Sequence, residues 1–136
     1  MVSISENAII IRDSETDLCG LVEHNGTPVI PCQYKYLAPC ANELYAQDPE
    51  TDLWGIIDLN GNIVIPLMYE EIEMPDDKVY IVQKKHTGYG VIDLYNKILV
   101  PLTNKHAYQA YNIYCVHERL LAEKAKLLSQ DKTIDR

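Results

Sequence analysis

Phenylalanine is absent from this chain, tryptophan occurs once, at Trp54, and the aromatic load falls on ten tyrosines. Tyrosine pairs apolar area with a polar tip, so it suits half-buried faces of thin sheets better than a deep core. The four cysteines, Cys19, Cys32, Cys40 and Cys115, form no CxxC pair. That spacing gives no structural zinc pattern, and the thiols are expected to be free and mostly buried as small hydrophobes. Long apolar runs are missing too: stretches such as Ala8 to Ile11 fall far short of the ~20 residues of a membrane-spanning helix. The first residues, Met1 to Asn7, lack the basic patch and apolar stretch of a secretory signal, so a cytoplasmic location and no membrane partner are expected. Basic residues are scarce at first. Residues 1–77 hold fifteen Asp and Glu against only Arg12 and Lys35, a balance of −13. Residues 78–136 hold five acids against ten Lys and Arg, or +5, giving −8 for the chain. Clustered phosphate-neutralising side chains are therefore lacking, and Lys84-Lys85-His86 is too small a group to reverse this; no nucleic-acid partner is expected.

What is present is ordinary globular material, 47% apolar and 24% charged over 136 residues, enough for a single domain spanning 1–136. Its organisation is periodic. A shift of 35 superimposes Gly20, Gly55 and Gly90, and likewise Pro31, Pro66 and Pro101. Nine of eighteen positions are identical between residues 17–34 and 52–69, and residues 87–104 keep Gly90, Ile92, Asp93, Leu94, Ile98, Pro101 and Leu102 in step. Such a period implies stacked supersecondary units that bury their faces on one another. In the second unit, Leu53 to Asp58 reads as a strand, Asn60-Gly61 as a type I′ hairpin turn, and Asn62 to Pro66 as the returning strand. Proline cannot donate to a ladder, so it marks a strand end or an edge. The recurring glycine implies a bulge or the close approach of another backbone or ring.

A third strand is expected to close each unit: Glu43–Gln47, then Lys78–Gln83 at the same shift, then Asn112–Val116. Projected backwards, the shift reaches Ala8–Ile11, so an N-terminal strand over 6–12 gives the first hairpin a neighbour and covers an edge. The tail from His117 to Leu128 has helix formers and no Gly or Pro. Leu120, Leu121, Ala125 and Leu128 share one stripe, which predicts a short helix over 117–130 capping the array, with a frayed polar end from Ser129. The fold class expected is all-β: three 35-residue hairpin-plus-strand repeats, at 17–51, 52–86 and 87–116, as an antiparallel meander or solenoid-like array, open or partly closed. Three units are too few for a propeller of the usual ~4 to 8 blades.

These residues carry a family likeness. The stretch from Leu53 to Glu70, with Trp54-Gly55, Asp58, Gly61, Ile65-Pro66 and Tyr69-Glu70, resembles a WG repeat. The first copy matches through Gly20, Gly26, Ile30, Pro31 and Tyr34, with Cys19 in place of Trp; the third keeps Tyr89, Gly90, Asp93 and Pro101. The aromatic that the family places after the Tyr is missing throughout. The resemblance spans about residues 8–116. It implies a binding scaffold of bacterial or phage origin, without catalytic residues to carry over.

No phosphate-binding glycine loop, HExxH or GxSxG is present, and His24, His86, His106 and His117 are scattered. Asp58 and Asp93 recur at one repeat position, where a shared role in accepting turn hydrogen bonds explains them better than acid–base catalysis. No catalytic residue, metal or cofactor is expected. Trp54 is expected to pack in the core. The informative feature is charge: Glu70, Glu71, Glu73, Asp76 and Asp77 fall within eight residues. They are either a solvated loop or the site that steers a basic protein partner. The spacing lacks the EF-hand pattern and its glycine. The expected function is a non-enzymatic protein-binding module, within that class a small acidic inhibitor or immunity protein against a basic, nuclease-like toxin. The alternative is a carbohydrate or cell-envelope ligand binder using exposed aromatics, and an enzyme built on Asp58, Asp93 and the cysteines is a third reading.

Overall fold

The computed structural model describes residues 2–3 and 8–134, with the side chains of 8–129. Among the described residues twelve strands and one helix follow in chain order. β1 (Val2–Ser3), β2 (Ala8–Arg12), β3 (Cys19–Glu23) and β4 (Pro28–Tyr34) form the first sheet. β5 (Tyr36–Cys40), β6 (Glu43–Gln47), β7 (Trp54–Ile57) and β8 (Ile63–Tyr69) form the second. β9 (Glu71–Glu73), β10 (Val79–Lys84), β11 (Gly88–Asp93) and β12 (Ile98–Asn104) form the third, followed by α1 (Ala107–Ile134). Each sheet is an antiparallel meander in sequence order. The strand read as closing a unit therefore belongs to the next sheet, as its second strand: β2 pairs with β3, β6 with β7 and β10 with β11.

The central hairpins share one register. Cys19↔Tyr34, Leu21↔Ile30 and Val22↔Pro28 recur 35 residues on as Trp54↔Tyr69, Ile56↔Ile65 and Ile57↔Ile63, and again as Tyr89↔Asn104, Val91↔Val100 and Ile92↔Ile98. The shifts within each set mark a bulge opposite Gly20, Gly55 and Gly90, beside the exposed prolines 31, 66 and 101, which lie on edge strands β4, β8 and β12. The glycine is required by close approach: a Cβ on Gly55 would press on the Ile65 carbonyl and stand 2.7 Å from the Pro66 carbonyl carbon. The type I′ turn is not formed. Gly61 N donates to Asp58 O at 3.1 Å and Asp58 N to Asn62 O at 2.8 Å, with Gly61 at φ 91° and Asn60 outside the left-handed region. That is a three-residue loop, a type I turn completed by a left-handed residue. Gly26 (φ 92°) and Asn96 (φ 68°) fill the same place in the other hairpins.

The strand β10 departs from the expected alignment. Leu44 faces Ile57 and Tyr80 faces Ile92, so β10 lies 36 positions after β6, not 35. The chain from Glu73 to its partner Ile81 is one residue longer than that from Ala38 to Tyr45, and the chain from Gln83 to Tyr89 one shorter than that from Gln47 to Trp54. A one-residue slip exchanges the faces of a strand. Tyr80 consequently takes the inward slot of Leu44, and both are fully buried.

Packing proceeds in layers. Leu21, Ile30 and Tyr34 of the first sheet meet Leu37, Leu44, Ala46 and Ile57 of the second. Ile56, Ile65 and Tyr69, with Cys40, meet Tyr80, Val82, Ile92 and Leu102 of the third. Val79, Val91 and Val100 then meet Ala110 and Tyr114 of α1. A sheet covered on both faces needs apolar neighbours in sequence, as adjacent Ile56 and Ile57 show. Tyrosine serves the core more than its polar tip implied: Tyr69 and Tyr80 are among the largest fully buried side chains. Their hydroxyls reach across layers, Tyr69 to Asn96 Oδ1 at 2.5 Å and Tyr80 to Glu43 Oε1 at 3.2 Å.

The C-terminal reading is corrected twice. Asn112–Val116 is helix, not a closing strand, and α1 begins at Ala107 and continues to Ile134. Ala110 and Tyr114, one helical turn apart, dock on the third sheet, which favours helix there over another strand. The stripe expected to cap the array is exposed at Leu120, Leu121 and Leu128; the docking is done by the first two turns instead. At the other end β2 begins at Ala8, and residues 6–7 of the expected strand lie outside the described residues.

Candidate binding cleft at the acidic edge

The acidic run occupies the one-residue link between β8 and β9, the short edge strand β9 and the connection to β10. Its five carboxylates have unlike surroundings. Asp76 is structural: Oδ1 accepts from the amides of Lys78 and Val79 at 2.8 and 3.2 Å, and Oδ2 accepts from the Tyr111 hydroxyl at 2.7 Å. It folds the connection and ties α1 to it, and that hydrogen bond comes first in raising the Tyr111 phenol. Glu70 is half-buried and its amide donates to Gln83 O at 2.7 Å. Asp77 is exposed. Glu71 and Glu73, two positions apart on β9, are exposed and line a cleft of about 350 Å³ between the second and third sheets.

The cleft joins the two carboxylates to Ala38, Tyr45 and Trp54 of the second sheet and to Ile72, Ile81 and Tyr89 of the third. Trp54 is half-buried in this wall, outside the core clusters, contrary to the core packing expected of it. It stands at the start of β7, ahead of the fully buried Ile56–Ile57 pair. Tyr45 is fixed from above, its hydroxyl accepting from the Met74 amide at 2.9 Å. Burial, then a hydrogen bond with Cys40, pushes its phenol up to about 12. Tyr89 donates to Glu71 Oε2 at 2.6 Å, and that bond, ahead of burial and the charges of Glu71 and Glu73, holds its phenol above the ordinary value. Both phenols therefore stay neutral at physiological pH, and the cleft carries only the charge of its glutamates. Among the described residues, ion pairs form at Arg12–Asp17 and Lys35–Asp52; no cation lies within pairing distance of Glu71 or Glu73.

The carboxylates were visible as an acidic run, the wall was not. Pairing across the strands puts Glu71, Glu73, Ile81 and Tyr89 where the second sheet has Tyr36, Ala38, Tyr45 and Trp54. The slip of β10 hides the Tyr45–Ile81 correspondence from a constant-shift alignment, whereas the other three hold at a shift of 35.

The remaining candidates have structural surroundings. Asp58 Oδ1 accepts from the amides of Asn60 and Asn62 at 2.9 and 2.8 Å, and Asp93 Oδ1 from those of Tyr95 and Lys97 at 2.8 and 2.9 Å. Partial burial works to raise the Asp58 carboxyl, but the donors from Asn62, Asn60 and Gly61 outweigh it and the carboxyl is lowered. Equivalent loops before β3 and β7 use Asp13 and Asp48 in the same way, each accepting two amides. The four thiols are free, Cys19 and Cys40 buried, Cys32 half-buried and Cys115 exposed. Among the described residues no three His, Cys, Asp or Glu side chains are grouped to hold a metal, and no helix is long and apolar enough to cross a membrane.

No curated protein and no solved structure matches this chain. The family model for the WG containing repeat matches residues 20–46 and 54–85, that is β3 to β6 and β7 to β10. Its matched segments thus run from the glycine strand of one sheet into the opening strands of the next. Over these two segments the chain carries the WG containing repeat.

Proposed function

We propose that the chain is a non-enzymatic module that binds a basic protein, and that its three sheets are tandem 35-residue units of one solenoid-like array capped by α1. The observation that carries this reading is the acidic edge of the third sheet, where Glu71 and Glu73 stand unpaired by any described cation beside an open cleft. Acidic loops at Asp13–Asp17 and Asp48–Asp52 extend the negative surface of the first two sheets. Such a field speeds encounter with a basic partner and disfavours acidic ones. Within this class the reading is a small bacterial cytoplasmic inhibitor, of the immunity-protein kind, that covers the basic active site of a nuclease-like toxin.

The test is capture of partners from native extract at low salt, or mixing with a basic toxin encoded beside it. Retention of a basic protein, released by salt and abolished by Glu70→Lys, Glu71→Lys and Glu73→Lys together, is the expected result. Unaltered retention by that variant sinks the reading.

A carbohydrate-binding reading keeps one supporting observation, the Tyr36–Trp54 stack at 6.3 Å and 12° beside the cleft. Against it, Tyr34, Tyr69, Tyr80 and Tyr114 are buried, and the exposed rings Tyr95 and Tyr108 lie on separate elements.

A further inference from the structure

We propose that the cleft between the second and third sheets receives the guanidinium of an arginine side chain projecting from the partner protein. This rests on the protein-binding reading above and names the chemistry at its centre.

The cleft offers aromatic walls and fixed negative charge together. Tyr45, Trp54 and Tyr89 supply rings, Ile72, Ile81 and Ala38 supply apolar floor, and Glu71 and Glu73 supply acceptors. A guanidinium is planar, weakly hydrated, stacks on aromatic faces and bonds carboxylates through two parallel donors; an ammonium does the last only as a point charge. Tyr89 occupies Glu71 Oε2 as a donor, which orients that carboxylate and leaves Oε1 for a ligand. No donor among the described residues reaches the Glu73 carboxylate.

The fold does not itself demand these acids. Tyr36 and Ala38 fill the corresponding positions of the second sheet. At that preceding junction the chain already seats a guanidinium: Arg12, at the end of β2, lies over the Tyr36 ring at 5.3 Å, and Tyr36 stacks on Trp54. Gln47 takes the place of Arg12 one sheet later, and Glu71 that of Tyr36. The second junction therefore has rings and carboxylates but, among the described residues, no cation paired with them.

Trp54 is the chain's single tryptophan, so its fluorescence reports on this wall alone. The intact protein is titrated with a blocked Gly-Ser-Arg-Ser-Gly peptide, with versions carrying citrulline or lysine at the centre, and with cellobiose. The arginine peptide is expected to give a saturable change that weakens with salt. Citrulline keeps the shape and loses the charge, and should bind at least about tenfold more weakly. Lysine is expected to fall between them. Glu71→Gln with Glu73→Gln should weaken the arginine peptide about tenfold as well. Glu73→Gln alone, at a carboxylate that takes no hydrogen bond from the described residues, should do so severalfold without disturbing folding. The proposal is overturned by no saturation up to about 10 mM arginine peptide, by equal binding of citrulline or lysine, or by tighter binding of cellobiose. If the peptide fails while charge reversal still abolishes partner capture, the cleft assignment falls and the acidic-edge reading stands. If the peptide binds but no basic protein is captured, the converse holds.

Discussion

Replacing Gly55 with alanine tests the close packing of β7 against β8. An added Cβ would press on the Ile65 carbonyl and lie 2.7 Å from both the carbon and the oxygen of the Pro66 carbonyl, where ordinary contact begins at 3.4 Å. Relief requires β8 to withdraw by at least roughly 0.7 Å at Pro66 and further at the closer Ile65 carbonyl, and the obstacle is backbone, with no rotamer to turn aside. Withdrawal strains the bulge and lengthens about two ladder hydrogen bonds, each worth about 1 kcal/mol, on top of an overpacking strain of about 1–3 kcal/mol. Alanine returns roughly 0.5–1 kcal/mol because glycine is intrinsically poor in a strand. The net loss is about 3 kcal/mol, a fall in Tm of roughly 10 °C for a domain of this size. Gly26→Ala is the control: nothing lies within 4 Å of its Cβ, and only its φ of +92° opposes the change, at about 1 kcal/mol. The assay is urea unfolding followed by circular dichroism, since Trp54 adjoins the mutated site. A Gly55→Ala protein within 0.5 kcal/mol of the parent, or one less destabilised than Gly26→Ala, would refute the reasoning about this close approach.

Two further outcomes follow from named contacts. Asp58→Ala removes the acceptor for two turn amides and should cost about 1 kcal/mol by chemical denaturation. Its folded carboxyl lies below the ordinary 3.8, so its contribution is present above that value and is lost as pH falls through the lowered folded one; the gap between parent and variant should close in that acid range. On α1, Tyr114→Ala should cost about 3 kcal/mol, whereas Leu121→Ala, at an exposed position, should stay within about 0.5 kcal/mol. Equal losses at the two positions would show that the far half of the helix is packed.

The hairpins were legible because glycine, proline and turn residues must recur wherever the same bulged pairing recurs, and these are residues with special backbone demands. The short strands β5 and β9 were not legible. Tyr36-Leu37-Ala38-Pro39-Cys40 and Glu71-Ile72-Glu73 carry proline or charge on a sheet edge, which is how edges are kept from pairing further and also how they cease to look like strands. The start of α1 was missed because Tyr, Asn, Ile, Cys and Val over 111–116 read as strand formers, and tertiary docking of Ala110 and Tyr114 overrode that preference. A local signal did exist: Gln109, at the third helical position, accepts the His106 amide at 3.1 Å, half of a capping box. At the candidate site the acidic run was visible as composition. Its division into structural Asp76 and cleft-lining Glu71 and Glu73 depends on the β10 slip and on Tyr89 and Tyr111, which come from elsewhere in the chain.

Collisional quenching of Trp54 by caesium and by iodide at matched ionic strength tests most directly whether the indole stands half-open in an acid-lined cleft. Caesium should quench it several times more efficiently than iodide, with Glu71→Gln and Glu73→Gln together removing most of the difference. Failure of both ions to quench would place Trp54 in a closed core, and iodide quenching as well as caesium would contradict the negative cleft on which the functional reading stands.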